Sequence, residues 1–162
     1  EAWNKDQSIE TAFPGSCIWF YQELAKRVGP ERYLQHLKKT GYGNGQAGPE
    51  VTSFWLDGDL RISALEQVAF LKRLYLNELP YPGEYQDLVK RMMVVEKTDE
   101  YTIRAKTGWA TRVEPQIGWY IGYVEKKDQT WFFAVNMDIT ESGQGRFRQE
   151  AAREALKRAG IL

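Results

Sequence analysis

The chain has 162 residues, a length typical of one domain, and 43% of them are hydrophobic, which is ample material for a core. Lysine plus arginine and aspartate plus glutamate both number 22, so the formal net charge is zero and favours neither nucleic acid nor an anionic membrane as partner. With Cys17 as the one cysteine and His36 as the one histidine, we expect no internal disulfide and no metal site. No apolar run has the length of a membrane span.

The first half of the sequence has helical periodicity. The segment SCIWFYQELAKRVG predicts a helix with Ser16 as its N-cap and Gly29 at its end. Its apolar residues recur at three- and four-residue steps, at Ile18, Tyr21, Leu24 and Ala25. Pro30 suits the first turn of a second helix that stops near Gly41, and a glycine-rich loop follows. Within these helices we expect the cysteine to be buried and the histidine to lie at the surface.

A long helix is predicted from Ser63 to Glu78, because Ser63 and Glu66 form a capping box. Leu65, Val68, Ala69 and Leu76 line one face, and Phe70, Leu71 and Leu74 point elsewhere. We therefore expect a helix that is apolar around much of its circumference and well buried. The sequence PYPG breaks the chain at residues 80–83, and a shorter helix follows over residues 84–92.

From residue 100 onwards the pattern changes to strands. EYTIRAKTGW, QIGWYIGYVE and TWFFAVNMDI predict a three-strand antiparallel meander, with KKDQ as the second turn. A terminal helix follows and ends before Gly160, and its apolar face is expected to hold Phe147, Ala151, Ala152, Leu156 and Ala159. The fold class is therefore α+β, with a mainly helical part over residues 1–95 and a sheet part with a C-terminal helix over 96–162.

The predicted sheet needs additional partners. Its three strands are hydrophobic on both faces, and a sheet of this kind is normally covered by other layers or extended by further strands. The sequence also begins with EAWNKDQ, without an initiator methionine. We therefore expect the chain to be a single incomplete domain, 1–162, whose remaining strands lie upstream.

Lys106, Thr107 and Gly108 form the first group with chemical potential. A cation and a hydroxyl at the end of a strand, followed by glycine, make an anion site beside a free main-chain edge. The alternative is an exposed lysine and threonine on a strand that happens to end at glycine. Arg148, at the start of the terminal helix, can bind a carboxylate with two hydrogen bonds or can simply be a solvated charge.

Two more groups lie in the helical part. Tyr42, Gly43 and Asn44 sit in the glycine-rich loop, where asparagine can bond a ligand amide or can serve ordinary turn geometry. Ser16 can relay a proton or act only as an N-cap. No catalytic set assembles from these residues, because the five serines all fail the Ser-x-x-Lys spacing that places nucleophile and base on one helical face.

Taken in order, Ser-x-Ile at Ser16, YGN at Tyr42, FWLDG from Phe54 and KTG at Lys106 resemble the motif series of the class D (oxacillinase-type) β-lactamases. WNKDQ, RAKTGW and WFFAVNMD read like that family as well. The resemblance covers essentially the whole chain and corresponds to the C-terminal two-thirds of a family domain. It implies part of a serine β-lactamase or penicillin-binding transpeptidase-like fold.

The resemblance also implies roles for residues of the sheet part. Lys106, Thr107 and Gly108 would hold the substrate carboxylate, with Arg148 as the guanidinium partner. The backbone N–H of Trp109 would supply one arm of the oxyanion hole, which stabilises developing charge on the lactam oxygen.

In the helical part, Ser16 would pass a proton to the departing lactam nitrogen. The indole of Trp55 would donate to a carbamylated lysine, the general base of the family. The substrate-binding residues expected there are Ile18 and Leu56, and the structural motif is Tyr42, Gly43 and Asn44. Ile18 stands where valine is usual in the family.

The implied activity is β-lactam hydrolysis, which gives resistance to penicillin-type antibiotics through a covalent acyl-enzyme. Because the chain has no Ser-x-x-Lys, we expect the nucleophile and the lysine carbamylated by CO2 to lie on an upstream segment, and the isolated chain to be inactive. We expect no cofactor in this chain itself and no metal. The resemblance implies a periplasmic or secreted protein, and it leaves homodimerisation open.

Two other readings compete with an enzyme. A β-lactam-sensing receptor domain carries the same motifs and is acylated without turnover. An α+β binding module with chance motifs is the third reading, but chance matches rarely fall in the right order. The context of FWLDG and RAKTGW favours the enzyme.

Overall fold

The computed structural model describes residues 3–162, and the backbone divides between Ile62 and Ser63 into two units. The first unit holds α1 (Ile9–Ala12), α2 (Ile18–Val28) and α3 (Pro30–Thr40), followed by a series of turns. The predictions of α2 and α3 are confirmed. The four-residue α1 was not predicted, although Ser8 and Thr11 form a capping box at its start.

Glycines end both longer helices of the first unit. The N–H of Gly29 bonds the Ala25 carbonyl at the end of α2, and Gly41 adopts the left-handed conformation that closes α3. The buried hydrophobic residues of this unit are Ala12, Cys17, Ala25, Ala47 and Phe54. Cys17 is buried and His36 is exposed, as the sequence predicts.

The second unit is a four-strand antiparallel sheet with three helices. The elements are α4 (Ala64–Tyr75), α5 (Gly83–Met92), β1 (Val94–Lys97), β2 (Thr102–Ala110), β3 (Gln116–Lys126), β4 (Gln129–Ile139), a 3-10 turn (Gln144–Arg146) and α6 (Phe147–Arg158). The strands lie in the order β1-β2-β3-β4. The α+β class is confirmed, and so are the three strands that the sequence predicts.

The prediction of only three strands is wrong, because β1 adds a fourth. This strand is only four residues long, and its register against β2 shifts between Val94 and Glu96. The irregularity places the neighbouring Val94 and Val95 both at the surface, so β1 lacks the alternation from which strands are recognised in a sequence.

The prediction that α4 is buried around much of its circumference is also wrong. The capping box of Ser63 and Glu66 is present, but Leu65 is 83% exposed. The buried positions are Gln67, Leu71 and Leu74. This helix carries apolar residues around much of its circumference, so periodicity alone does not choose among its faces. The terminal helix shows a smaller difference: only Ala152 and Leu156 of its predicted apolar face are buried.

Helices cover both faces of the sheet. On one face, Ile103, Ala105, Tyr120 and Val124 pack with three residues of α6 and the C-terminus, namely Ala152, Leu156 and Ile161. On the other face the ring of Tyr75 in α4 stands edge-on to Tyr123 and Phe132, with ring centroids 5.4 and 5.6 Å away. These two layers explain why the strands are hydrophobic on both sides. Among residues 3–162, no helix combines the length and apolar character that crossing a membrane requires.

Candidate active site

The C-terminal half of β2 has a free edge. Residues from Lys106 to Ala110 pair with β3, with Lys106 opposite Ile121 and Trp109 opposite Gly118. On the other side, β1 pairs with β2 only as far as Arg104. The N–H of Ala105 still bonds the carbonyl of Met93, just before β1. Since alternate residues of an antiparallel strand direct their N–H and C=O groups to opposite edges, the groups of Thr107 and Trp109 that face away from β3 have no strand partner in the described part of the chain.

Lys106 folds back along this edge. Its Nζ donates to the carbonyl of Thr107 at 2.9 Å and lies 3.4 Å from the Thr107 hydroxyl. Although the two side chains leave the strand on opposite faces, the flexible lysine stem thus brings its ammonium beside the threonine. Burial, and to a smaller extent the positive charge of Arg148, lower the pKa of Lys106 to about 8. The site therefore contains two partly desolvated cations.

This environment predicts that Lys106 titrates within reach of physiological pH. We expect its midpoint near pH 8 when the chemical shift of its ¹³Cε atom is followed by NMR against pH. Arg148→Met should raise the midpoint but leave it below the ordinary 10.5, because burial is the larger cause. A midpoint above 10 in the unmodified protein would contradict the burial of this amine.

Arg148, in the first turn of α6, reaches the same strand. Its Nη1 donates to the carbonyl of Gly108 at 2.8 Å, while its Nε is buried and has no hydrogen-bond partner in the described residues. The arginine stem passes beside Gly118, where an added Cβ would make an ordinary contact of 3.6 Å with Arg148 Cδ. The same Cβ would clash with Ile139 Cδ1 at 2.7 Å, so the absence of a side chain at position 118 makes room chiefly for Ile139.

Trp109 completes the group in the second unit. Its indole is 40% exposed, and its Nε1 donates to Gln116 Oε1 at 2.8 Å. The Arg148 guanidinium carbon lies 5.2 Å from the centroid of this ring. The structure therefore brings together five residues that the sequence predicts for the site: Lys106, Thr107, Gly108, Trp109 and Arg148.

Ser16 is not the N-cap of α2, which corrects that prediction. The cap position belongs to Cys17, and Ser16 has a φ angle of 50°. The N–H of Ser16 bonds Phe13 O, and the N–H of Cys17 bonds Ala12 O, the pattern of a Schellman turn closing α1. Glycine usually occupies such a left-handed position, so a serine here carries backbone strain. The turn sequence Pro14-Gly15 immediately before it was the available signal.

This strain predicts different stabilities for two variants that both lack the hydroxyl. Ser16→Gly should be more stable than Ser16→Ala by about 1 kcal/mol, because alanine has a Cβ that is sterically strained at positive φ and glycine has none. Ser142, which is exposed and has no positive φ, provides the control, and there glycine should be the less stable variant. Urea denaturation measures both differences, and equal stabilities of the two Ser16 variants would contradict the left-handed geometry.

Tyr42, Gly43 and Asn44 act on the backbone of their own unit. Asn44 Nδ2 donates to Asp59 O at 2.8 Å, and Asn44 Oδ1 accepts from the N–H of Arg61 at 3.0 Å. Gly43 has a φ of 53°, and a Cβ added to it would overlap the carbonyl of Arg61. These contacts agree with a structural role, since the asparagine amide is used to hold two segments of main chain together.

The remaining predicted residues also lie in the first unit. Ile18 is the first residue of α2, and Trp55 and Leu56 lie in the turn after Ser53; all three are half-buried. The ring of Trp55 stands edge-on to buried Phe54, with centroids 5.0 Å apart. Its indole N–H makes no hydrogen bond within residues 3–162 and so remains able to donate.

Sequence reasoning did not find two residues that shape the surroundings of Trp109. Gln116 fixes the Trp109 indole, and Gly145 leaves room for its ring. Neither residue carried a signal in the sequence. In the part of the chain that the structure describes, no cluster of His, Cys, Asp and Glu is suited to a metal ion.

The family comparison agrees with this geometry. The family model described as penicillin binding protein transpeptidase domain matches residues 1–157. The chain is 45% identical over 160 residues to beta-lactamase OXA-48 of Klebsiella pneumoniae, covering 99% of this chain and 60% of that protein. It is 37% identical over 163 residues to beta-lactamase OXA-10 of Pseudomonas aeruginosa, covering 61% of that protein. The chain thus spans about 60% of the length of these two relatives.

Solved structures extend the likeness to the fold. The class D beta-lactamase YbXI from Nostoc superimposes with a TM-score of 0.96 at 44% identity, with 99% of this chain and 68% of that one covered. FUS-1 (OXA-85) from Fusobacterium nucleatum subsp. polymorphum gives a TM-score of 0.96 at 39% identity, with 100% and 67% covered. The chain belongs to the penicillin-binding protein transpeptidase domain family and, within it, to the class D β-lactamases.

Proposed function

We propose that this chain forms the carboxylate-binding and oxyanion-binding part of an enzyme that hydrolyses β-lactams by serine acylation and deacylation. The observation that carries the proposal is the placement of two cations on consecutive carbonyls of β2, with Lys106 donating to Thr107 O and Arg148 donating to Gly108 O. Penicillin-type substrates carry a carboxylate next to the reactive ring. Such an anion offsets the repulsion between the two cations, and its binding should raise the pKa of Lys106.

We further propose a role in substrate binding for each group at the end of β2. Lys106 and the Thr107 hydroxyl hold the carboxylate, and Arg148 adds donors that its bond to Gly108 leaves unused. Gly108 permits close approach of the substrate to the backbone. The N–H of Trp109 donates to the lactam oxygen as negative charge develops there in the transition state.

The first unit contributes proton transfer and support. Ser16, held at positive φ, passes a proton to the departing lactam nitrogen, and Ile18 and Leu56 line the substrate. The nucleophilic serine and a lysine carbamylated by CO2 are supplied by a segment outside this sequence; that lysine is the general base, and the unused indole N–H of Trp55 suits it as a hydrogen-bond donor. We extend the proposal to a periplasmic or secreted location, on the strength of the family alone.

Nitrocefin turnover tests the proposal. The 162-residue chain should not hydrolyse nitrocefin, whereas the chain joined to an upstream segment that supplies Ser-x-x-Lys should do so with many turnovers. Mass spectrometry of the joined protein with benzylpenicillin separates the receptor alternative from the enzyme, because a receptor retains a stable adduct. Appreciable turnover by the 162-residue chain would contradict the assignment of the nucleophile to another segment.

A further inference from the structure

We propose that the side chain of Trp109 is a positioning residue for Arg148 and thereby sets the affinity for the carboxylate of the substrate. This inference rests on the proposed function for its ligand, a monoanionic carboxylate beside a strained lactam. It concerns the indole ring, whereas the oxyanion role concerns the backbone N–H of the same residue.

Arg148 has few contacts that fix its plane. Its one hydrogen bond within residues 3–162 runs from Nη1 to Gly108 O, and its buried Nε has no hydrogen-bond partner there. A single hydrogen bond leaves a guanidinium free to rotate about it. Bidentate binding of a carboxylate needs one defined plane, so a further contact must hold the group if it is to be pre-organised.

The Trp109 ring provides that contact. The guanidinium carbon lies 5.2 Å from the ring centroid, within the range of cation–π attraction. Because burial already lowers the pKa of Arg148, its charge is partly desolvated, and desolvation strengthens such an attraction. The ring is therefore the surface against which the guanidinium is oriented.

The ring itself is fixed from two directions. Its Nε1 donates to Gln116 Oε1 at 2.8 Å, which anchors one edge across the hairpin from β2 to β3. Its six-membered part lies against Gly145, where an added Cβ would come 2.8 Å from Cζ3 and 2.9 Å from Cη2. Gly145 therefore helps to position the ring, since any side chain at position 145 displaces the Trp109 ring from its contact with the Arg148 guanidinium.

This arrangement makes a distinctive prediction for a double substitution. When Trp109 is present, Gly145→Ala should displace its ring and so shift the Arg148 guanidinium from its position. In Trp109→Phe the smaller ring lacks the atoms that meet position 145, so adding Gly145→Ala should cause little further loss. A general structural role of the glycine does not predict this dependence on the neighbouring ring.

The experiment uses the domain joined to its upstream segment, with the nucleophilic serine of that segment changed to alanine so that benzylpenicillin binds reversibly. The NMR order parameter of the Arg148 Nε–Hε vector is measured by ¹⁵N relaxation. The resonance is assigned by its disappearance in Arg148→Lys. Benzylpenicillin affinity is measured by calorimetry. Trp109→Leu and Gly145→Ala should each lower this order parameter and weaken benzylpenicillin binding about 3- to 10-fold.

Phe147→Leu is the matched control, because Phe147 is equally exposed and carries Arg146 at 5.2 Å over its ring. It should leave the Arg148 resonance and the affinity unchanged. The inference is overturned if the order parameter of Arg148 Nε–Hε is unchanged in Trp109→Leu. It is also overturned if Gly145→Ala lowers this order parameter and the affinity as much in the Trp109→Phe protein as in the parent. If Trp109→Leu loosens Arg148 but the parent protein binds no benzylpenicillin, the positioning role stands and the proposed function fails.

Discussion

Lys106→Met should make the enzyme more stable and lower its kcat/KM for benzylpenicillin about 10²- to 10³-fold. The loss of activity follows from removing a partly desolvated cation from the substrate carboxylate. The gain in stability, about 1 kcal/mol, follows because methionine keeps the apolar stem without the charge. Chemical denaturation and steady-state hydrolysis by the domain joined to its upstream segment measure the two effects.

The stability difference between Lys106→Met and the parent protein should depend on pH in a defined direction. The folded pKa of Lys106, about 8, lies below the ordinary 10.5 of the unfolded chain, so the protonated amine opposes folding at pH 7. This opposition fades as the pH rises from about 8 towards 10.5, because the folded protein loses the proton first. The stability advantage of methionine should therefore be largest below pH 8 and disappear above 10.5.

Lys127→Met provides the control for this substitution, since Lys127 is exposed in the turn between β3 and β4. It should change neither stability nor hydrolysis appreciably. A Lys106→Met enzyme that is less stable and keeps its activity would show that the lysine is a structural residue and not a substrate ligand.

Gly43→Ala should destabilise the protein by about 3 kcal/mol or more. The residue has a φ of 53°, and its added Cβ would overlap the Arg61 carbonyl and come 3.0 Å from Ile62 Cβ. The atoms it meets include main chain, which does not move aside as a flexible side chain does. Urea unfolding followed by tryptophan fluorescence measures the loss.

Gly45→Ala separates the two causes of that loss. Gly45 lies in the same loop with a φ of 66°, but a Cβ there makes only an ordinary 3.7 Å contact with Lys38. It should cost only the left-handed backbone conformation, about 1 kcal/mol. Equal effects of the two substitutions would mean that Gly43 does not approach Arg61 as closely as the structure places it.

The elements that were predicted correctly are those whose signals are local in the sequence. Gly29 and Gly41 mark the ends of two helices, and Ser63 with Glu66 marks the start of a third. The wrong predictions for β1 and for the burial of α4 arise where the deciding contacts are remote. Leu65 is exposed because tertiary packing selects another face of α4, and β1 exists because β2 offers an edge for pairing.

The candidate site divides in the same way. The family resemblance identified Lys106, Thr107, Gly108 and Arg148, which the structure brings together at the C-terminal end of β2. Trp109 was predicted for its backbone N–H alone. Its contact with Gln116 depends on how the chain turns between β2 and β3, and its contact with Gly145 depends on how the turn before α6 meets the sheet. No spacing in the sequence encodes either contact.

Mapping the penicillin adduct tests the central claim most directly. The protein joined to its upstream segment is trapped with benzylpenicillin, digested, and analysed by mass spectrometry for the peptide that carries the acyl group. We expect the adduct on the serine of the upstream Ser-x-x-Lys and none on this chain. An adduct on Ser16, or on any other of the five serines of the 162-residue chain, would contradict the account.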